Sequence, residues 1–444
     1  MQVLERWFQL SAHGTNIRTE AMAGATTFLT LSYIFFVQPV ILNAAGMDSG
    51  AVLVATCLAS ALGTFSMGMW ANYPIALAPG MGHNVFFAYT VCIGMGVPWQ
   101  TALGATFISA FLFIALSWFG FRERVINGIP HGLKRGIAVG IGLLIAFVGF
   151  QWAGIVVSMP GTLVGLGNLT SSPVVLALSG FIIMIVMIAL RIPGAILLGI
   201  LITAVLGLAL GLTSFHGIVD TPPSIGPTFL QLDLIDPFRR GILSVIFIFF
   251  FIDLFDTIGT LVGVTEQAGL LEPDGTLPRA RQALLSDALA TMGGATAGTS
   301  TVTSYIESAS GVASGGRTGL TSVFTAGLML MTMFCYPLVR MIGEGVTVDD
   351  SAVLYPTLAP ALIIIGILMM RNVKRIEWEE FTEAVPAFLT AVVMPFAFSI
   401  TEGIAWGFIS YALLKLVTGQ GRNVHPLLYT FAALFVIRYI WLQS

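Results

Sequence analysis

The stretch "GILSVIFIFFFIDLFDTIGTLVGVT", residues 241–265, is apolar apart from Asp253, Asp256 and a few hydroxyl side chains. A run of about 20 apolar residues is long enough to cross a bilayer as a helix. A carboxylate within such a helix costs about 2.5–3.5 kcal/mol on insertion scales, so it persists where it faces a cavity, a partner or a substrate. The stretch therefore indicates a membrane protein with a functional site inside the membrane.

The composition of the whole chain supports this interpretation. Of its 444 residues, 56% are hydrophobic and 9% are charged, whereas soluble domains carry about 25% charged residues. Residues 49–121, 136–190 and 318–339 contain no Asp, Glu, Lys or Arg, and each of these runs is long enough for at least one crossing. We predict an all-α polytopic membrane protein and expect no nucleic-acid partner.

Apolar segments separated by polar breaks divide the chain into two halves. The predicted crossings are residues 21–43, 50–70, 101–121, 137–157, 173–190 and 194–213, then 241–264, 285–298, 318–338, 353–370, 384–400 and 402–418. Residues 1–20 are predicted to form an amphipathic cytoplasmic lead. Residues 426–441 form either an extra crossing or a helix lying at the membrane interface.

The third element of each half is interrupted. In "NYPIALAPGMGHNVFF", residues 72–87, Pro79 lacks a backbone donor and Gly80 loosens the chain. In "GGATAGTSTVTSYIE", residues 293–307, the alternating "TSTVT" predicts a short extended piece before a half-helix that starts near Tyr305. Non-helical backbone at membrane depth survives only against protein or water. Paired interruptions in two halves indicate a transporter binding site.

Two acids are the main candidates for the chemistry of this site. Asp256 belongs to the opening stretch, and Glu307 is the only charged residue between positions 288 and 316. Either carboxylate could accept hydrogen bonds from ligand N–H groups, and burial disfavours its charged form, which suits it to carry a coupling proton. Asp253 lies on the same helix face as Asp256; it is either a further proton carrier or a group that only orients its neighbour.

Polar neighbours complete the predicted substrate site. Thr260 lies one turn after Asp256, Thr303 lies in the second interruption, and Asn84 can donate and accept hydrogen bonds at the start of the first half-helix. His83 is either a titrating ligand or a structural group. The sequence contains no phosphate-binding loop and no clustered Cys/His metal motif. We predict no metal, no cofactor and no enzymatic activity.

The basic residues of the short loops predict the orientation. Most of them fall on one side if the N-terminus is cytoplasmic, and Arg239, Arg240 and Arg340 fall on the other side. We therefore expect a multi-pass protein of the cell membrane with a cytoplasmic N-terminus.

Four motifs carry a resemblance to a known family: "APGMGHN" (78–84), "LFDTIGTLVGV" (254–264), "GTSTVTSYIESASGVASGGRTGL" (298–320) and "VPAFLTAVVMPFAFSITEGIAWGFISY" (385–411). They resemble the AzgA-like purine permeases, a branch of the nucleobase:cation symporters with the nucleobase–ascorbate transporter fold. The resemblance implies about 14 helices in two inverted seven-helix repeats, with half-helices 3 and 10 at mid-membrane. It also implies a core domain (21–121 and 241–338), a gate domain (137–213 and 353–418) and a C-terminal segment (419–444).

The resemblance implies import of purine bases together with protons, and homodimers that form through the gate domain. By position, Asp256, Glu307 and Asn84 match residues that hold the base in this fold. His83 stands where the family pattern leads us to expect leucine, and the position of Asp253 varies. We expect a preference for hypoxanthine and guanine; the alternatives are an adenine-preferring permease and, in a different class, a solute or ion channel.

Overall fold

The computed structural model describes residues 2–118, 130–270, 277–348 and 352–441. The described chain is mainly helical. Its helices are α1 Gln2–Phe8, α2 Ile17–Leu31, α3 Ile34–Ala44, α4 Ser49–Ser66, α5 Met81–Val85, α6 Trp99–Trp118, α7 His131–Trp152, α8 Ser172–Ala189, α9 Ala195–Ala209, α10 Asp236–Arg239, α11 Leu243–Ala268, α12 Ala280–Ala297, α13 Ser308–Ala313, α14 Gly319–Met331, α15 Tyr336–Gly343, α16 Ala359–Met369, α17 Phe381–Phe396, α18 Ile400–Val417 and α19 Pro426–Trp441.

Within the described ranges, six short strands form three two-stranded antiparallel sheets. They are β1 Leu77–Pro79, β2 Val156–Met159, β3 Leu163–Leu166, β4 Val302–Ser304, β5 Val346–Val348 and β6 Ala352–Leu354, paired as β1–β4, β2–β3 and β5–β6. The β2–β3 and β5–β6 pairs are local hairpins, whereas β1–β4 joins segments more than 200 residues apart.

The helices match the predicted class of membrane protein. Within the described residues, eight helical segments are long and apolar enough to cross a bilayer, and Ala195–Ala209, Phe381–Phe396 and Pro426–Ile440 are shorter apolar helices. The prediction of a polytopic helical fold with an interrupted segment in each half is confirmed. Residues 426–441, which the sequence left open, form the helix α19.

The chain divides into two compact units. Unit 1 comprises Met1–Ile114 and Trp152–Ala361, and unit 2 comprises Ala115–Gln151 and Leu362–Ser444. Unit 1 holds both interrupted segments, and it also includes α8 and α9. The division into a core domain and a gate domain that move against each other stays a prediction.

The two interrupted segments meet in the β1–β4 pair. Leu77 lies opposite Ser304, and Pro79 lies opposite Val302. After β1 the chain enters α5 and continues as a π-helix over Phe86–Gly94; after β4 it turns into α13. The predicted extended piece within "TSTVT" is confirmed, and the second half-helix begins at Ser308, three residues after the predicted start.

A threonine clamps each of these strands in the same way. The Thr64 hydroxyl, on α4, donates to the Leu77 carbonyl at 3.1 Å and accepts from the Leu77 N–H at 2.8 Å. The Thr291 hydroxyl, on α12, donates to the Val302 carbonyl at 2.8 Å and accepts from its N–H at 3.2 Å. Each strand thus satisfies backbone groups that the short sheet leaves unpaired. We call these two threonine–strand contacts the threonine clamps. The same contact occurs in both halves of the chain, as expected for an internal repeat.

One predicted crossing contains a local distortion, and another is wrong in detail. A single apolar span, Ile17–Ala44, covers the crossing predicted at 21–43. Its regular helix is interrupted only at Ser32 and Tyr33, where the backbone stays in the right-handed helical region; we call these two residues the α2–α3 break. The Thr30 and Ser32 hydroxyls bond to carbonyls of the preceding turn, and such bonds compete with the helical ladder. The crossing predicted at 353–370 begins only at Ala359, since the residue before Pro356 is disfavoured in a helix and β6 occupies the preceding residues.

Candidate functional site

The candidate site surrounds the β1–β4 pair in unit 1. Beyond the strand register, the Gly80 N–H donates to the Thr301 carbonyl at 3.0 Å and the Tyr305 N–H donates to the Ala76 carbonyl at 2.9 Å. The Tyr305 hydroxyl also donates to the Pro79 carbonyl at 2.5 Å. These bonds fix the backbone at the points where both half-helices begin.

Gly80 leaves room for a buried histidine. A Cβ atom at this position would lie 2.5 Å from Nδ1 of His83 and 2.9 Å from Cγ2 of Thr303, closer than real contacts allow. His83 has no exposed surface, and neither of its ring nitrogens has a hydrogen-bond partner among the described residues. An unsatisfied buried polar group costs about 1–3 kcal/mol, which makes this side chain an unusual feature of the site.

Asn84 joins the two interrupted segments. It is fully buried, and its Oδ1 accepts a hydrogen bond from the Ser300 hydroxyl. Ser300 in turn accepts from Nε2 of Gln38 at 2.9 Å, and the same amide nitrogen donates to the Thr299 hydroxyl at 3.0 Å. The structure therefore places Asn84 in a polar network that links α3, α5 and the residues before β4.

The predicted helix face on α11 packs against β4. Asp253 is 2% exposed and Thr260 is 6% exposed, whereas Asp256 is only half-buried. Between the two acids and Thr260, the Thr257 hydroxyl lies 2.8 Å from the Thr303 hydroxyl and donates to Asp287 Oδ2 at 2.9 Å. Hydroxyl groups thus tie α11 to the strand pair.

Asp287, on α12, was not among the predicted site residues. It is fully buried and accepts hydrogen bonds from Thr257 and from Ser304, the latter at 3.1 Å. Its sequence signal was an acid within an apolar run 20 residues before Glu307. The basic residues at the start of α12 made this region look like the end of a loop.

Glu307 lies in the turn immediately before α13 and is half-buried. Its Oε1 accepts a hydrogen bond from the Tyr33 hydroxyl at 2.8 Å. Thr257, the residue after Asp256, lies 2.8 Å from Thr303 on β4, and Glu307 follows β4 by three residues, so the two acids lie beside the same strand. The structure therefore brings together the two main candidate acids, which are half-buried, whereas His83, Asn84 and Thr303 are buried.

This arrangement suits a small polar ligand. Two carboxylates accept hydrogen bonds from ligand N–H groups, and hydroxyl and amide side chains around them offer further donors and acceptors. Within the part of the chain that the structure describes, no group of three His, Cys, Asp or Glu side chains is placed to hold a metal ion. The side chains of the candidate site can therefore recognise a ligand through hydrogen bonds.

A model of the Xan_ur_permease family, described as "Permease family", matches residues 18–406. The chain is 47% identical to the adenine permease AdeP of Escherichia coli over 100% of this chain and 97% of that protein. This chain belongs to the AzgA-like nucleobase permeases. It is also 45% identical to the guanine/hypoxanthine permease PbuG of Bacillus subtilis (99% of this chain, 100% of that protein) and 50% identical to the putative permease MJ0326 of Methanocaldococcus jannaschii over the full length of both.

Among solved structures, the chain is similar to the transmembrane domain of the cyanobacterial bicarbonate transporter BicA. The TM-score is 0.65 at 15% identity, covering 87% of this chain and 97% of that domain. At this identity the likeness shows the fold alone. It confirms the predicted fold of a permease built from two inverted seven-helix repeats, and family membership confirms that the permease is not an enzyme.

Proposed function

We propose that this permease imports the purine bases hypoxanthine and guanine together with protons across the cell membrane. The observation that carries the proposal is the pair of half-buried acids, Asp256 and Glu307, which lie beside the strand pair formed by the two interrupted segments. A carboxylate with unused oxygen lone pairs is a natural acceptor for the N–H groups of a flat heterocycle.

Oxopurines match these acceptors. Hypoxanthine and guanine present an N1–H donor and guanine adds an amino group, a pattern that a carboxylate can receive through both oxygens. In this proposal the base contacts Asp256, Glu307 and Thr260. Asn84, His83 and Thr303 form the layer behind it, which holds the two half-helices and supplies donors and acceptors for any water or ligand edge that enters.

Protons are the proposed coupling ion. A proton on one of two neighbouring carboxylates removes their mutual repulsion, so proton binding and base binding at this site influence each other. Asp256 and Glu307 are the proposed carriers, and Asp253, on the same face of α11 as Asp256, is the third. We further propose a cytoplasmic N-terminus and a homodimer formed through the gate domain.

Adenine preference is the second candidate. The chain is 47% identical to an adenine permease and 45% identical to a guanine/hypoxanthine permease, so similarity to these relatives does not decide between the two substrates. Adenine has no N1–H, and a hydrogen bond to its N1 would require a protonated carboxyl group as donor. Hypoxanthine uptake that excess adenine does not inhibit supports the first candidate. Adenine uptake that excess hypoxanthine does not inhibit supports the second.

The test is uptake of labelled hypoxanthine by cells that lack their own purine permeases, challenged with guanine, adenine, xanthine and uracil. We expect accumulation against a gradient that a protonophore abolishes; equilibration without accumulation would indicate a channel. Glu307→Gln is expected to abolish uptake at unchanged expression. Glu266→Gln, at an exposed position on α11, is the matched control and should transport normally.

A further inference from the structure

The break in the first crossing places a tyrosine against the candidate site. Between α2 and α3, Tyr33 is 1% exposed, and its hydroxyl donates to Glu307 Oε1 at 2.8 Å. One turn earlier, the Thr30 hydroxyl lies 2.8 Å from the Ser310 hydroxyl and 3.4 Å from the Glu307 carbonyl. The α2–α3 break thus holds both the side chain and the backbone of the Glu307 turn.

We propose that Tyr33 is a positioning residue that fixes the Glu307 carboxylate for selective recognition of a nucleobase N–H group. This inference rests on the proposed function, because it assumes that Glu307 accepts a hydrogen bond from the base. The inference concerns a buried residue that contacts the carboxylate through Oε1, and it assigns a role to the break between α2 and α3.

One hydrogen bond from the Tyr33 phenol is enough to fix the direction of the Glu307 carboxylate. A carboxylate has two oxygens, and a bond to Oε1 leaves Oε2 in a defined direction for a ligand. Without the phenol the carboxylate would rotate, and the base would have to order it on binding, which lowers affinity. Phenylalanine at position 33 would keep the buried ring and remove only the donor, so packing and positioning can be separated.

Discrimination between two ligands distinguishes positioning from a general structural effect. A fixed acceptor distinguishes hypoxanthine from N1-methylhypoxanthine, which lacks the N1–H, whereas a rotating acceptor adapts to both. Loss of positioning therefore lowers the ratio of the inhibition constant of N1-methylhypoxanthine to that of hypoxanthine. A purely structural role would weaken both ligands alike and leave the ratio unchanged.

The experiment measures inhibition of labelled hypoxanthine uptake by both compounds in wild type, Tyr33→Phe and Tyr411→Phe. The control removes the same kind of phenol–glutamate bond, Tyr411 to Glu383 at 2.9 Å, from unit 2. We expect the ratio to fall about tenfold in Tyr33→Phe and to stay unchanged in Tyr411→Phe. An unchanged ratio in Tyr33→Phe, with normal wild-type uptake, overturns the inference.

Two further measurements apply if Tyr33→Phe is not expressed or if the wild type does not import hypoxanthine. If Tyr33→Phe does not reach the membrane, Tyr33→His, which retains a donor, should keep a ratio within about threefold of wild type; a tenfold fall there contradicts the inference. If wild type imports adenine and not hypoxanthine, the same comparison uses adenine and N6,N6-dimethyladenine. Absence of any nucleobase uptake by wild type refutes the proposed function, and the Tyr33 inference with it.

Discussion

Among the described residues, the two half-buried acids of unit 2 and the two candidate acids of unit 1 are satisfied differently. In unit 2, Glu383 lies 3.1 Å from the Lys415 ammonium and Glu402 lies 2.8 Å from the Arg438 guanidinium. In unit 1, Glu307 is held by a phenol, and across the described ranges neither it nor Asp256 forms an ion pair. Cation-paired acids hold helices together, whereas acids without a cation keep capacity for a ligand or a proton.

Removal of the Lys415 cation tests the structural role of the unit 2 pair. Lys415 is 8% exposed and also donates to the Thr382 hydroxyl at 2.7 Å. Lys415→Met would leave the half-buried Glu383 without its cation, so we expect a loss of stability of about 3 kcal/mol, the lower end of the range for breaking a buried ion pair. Thermal unfolding in detergent measures it.

The folded fraction of Lys415→Met should keep the wild-type KM for the base, because the unit 2 pair plays no part in recognition. Adding Glu383→Gln should recover much of the lost stability. A large rise in KM without a change in unfolding temperature would contradict a structural role for this pair.

Asp256→Asn tests the opposite behaviour in unit 1. The substitution keeps the size of a half-buried side chain and removes its charge and its capacity to carry a proton. We expect uptake to fall at least about 100-fold, comparable to losing about 3 kcal/mol of recognition and coupling. The unfolding temperature should stay within a few degrees of wild type. Asp256→Asn with normal uptake but a strongly lowered unfolding temperature would place Asp256 in the same class as Glu383.

Gly80→Ala tests the close packing behind the acids. The new methyl group would meet the His83 ring and the Thr303 methyl group at 2.5 and 2.9 Å, so these buried side chains, or the backbone that carries them, must shift. We expect uptake to fall about tenfold or more, since displacement of about 1 Å at a binding site is costly. Gly327→Ala, on α14, is the control because nothing lies within 4 Å of its added Cβ. Equal, small effects of both substitutions would show that the packing around Gly80 tolerates change.

The smallest effect concerns the threonine clamps. Thr64→Val and Thr291→Val each remove a hydroxyl that both donates to and accepts from one strand residue. Each should cost about 1–3 kcal/mol of stability, because strand groups are left unsatisfied. Serine at either position keeps the hydroxyl and should cost less. The internal repeat predicts similar losses at the two positions; a loss at only one would show that the strands are held unequally. Unfolding temperatures in detergent measure both.

The fold could be predicted from the sequence to a large extent. Long stretches without charge mark the crossings, and Pro79, Gly80 and the "TSTVT" alternation mark the interruptions, because each acts locally on the backbone. The two hairpins β2–β3 and β5–β6 were missed, since strands of three or four residues give too short a pattern to recognise. The break at Ser32 was missed because Ser and Thr hydroxyls are common in apolar helices and only some of them interrupt the helix.

The site was predictable only where charge appears in apolar sequence. Asp256 and Glu307 met that condition, and the structure brings them together. Tyr33 and Gln38 did not, because a phenol or an amide in an apolar run is ordinary, and their partners Glu307 and Ser300 lie more than 250 residues away. Such contacts depend on the crossing of two distant segments, which no local pattern encodes.

The most direct test of the account is equilibrium binding of labelled hypoxanthine to purified protein, comparing wild type, Glu307→Gln and Glu383→Gln. If acids without a cation form the recognition site, Glu307→Gln should lose at least about 100-fold in affinity at unchanged unfolding temperature. Glu383→Gln should bind as wild type does. Wild-type affinity in Glu307→Gln, or a loss confined to Glu383→Gln, would contradict the account.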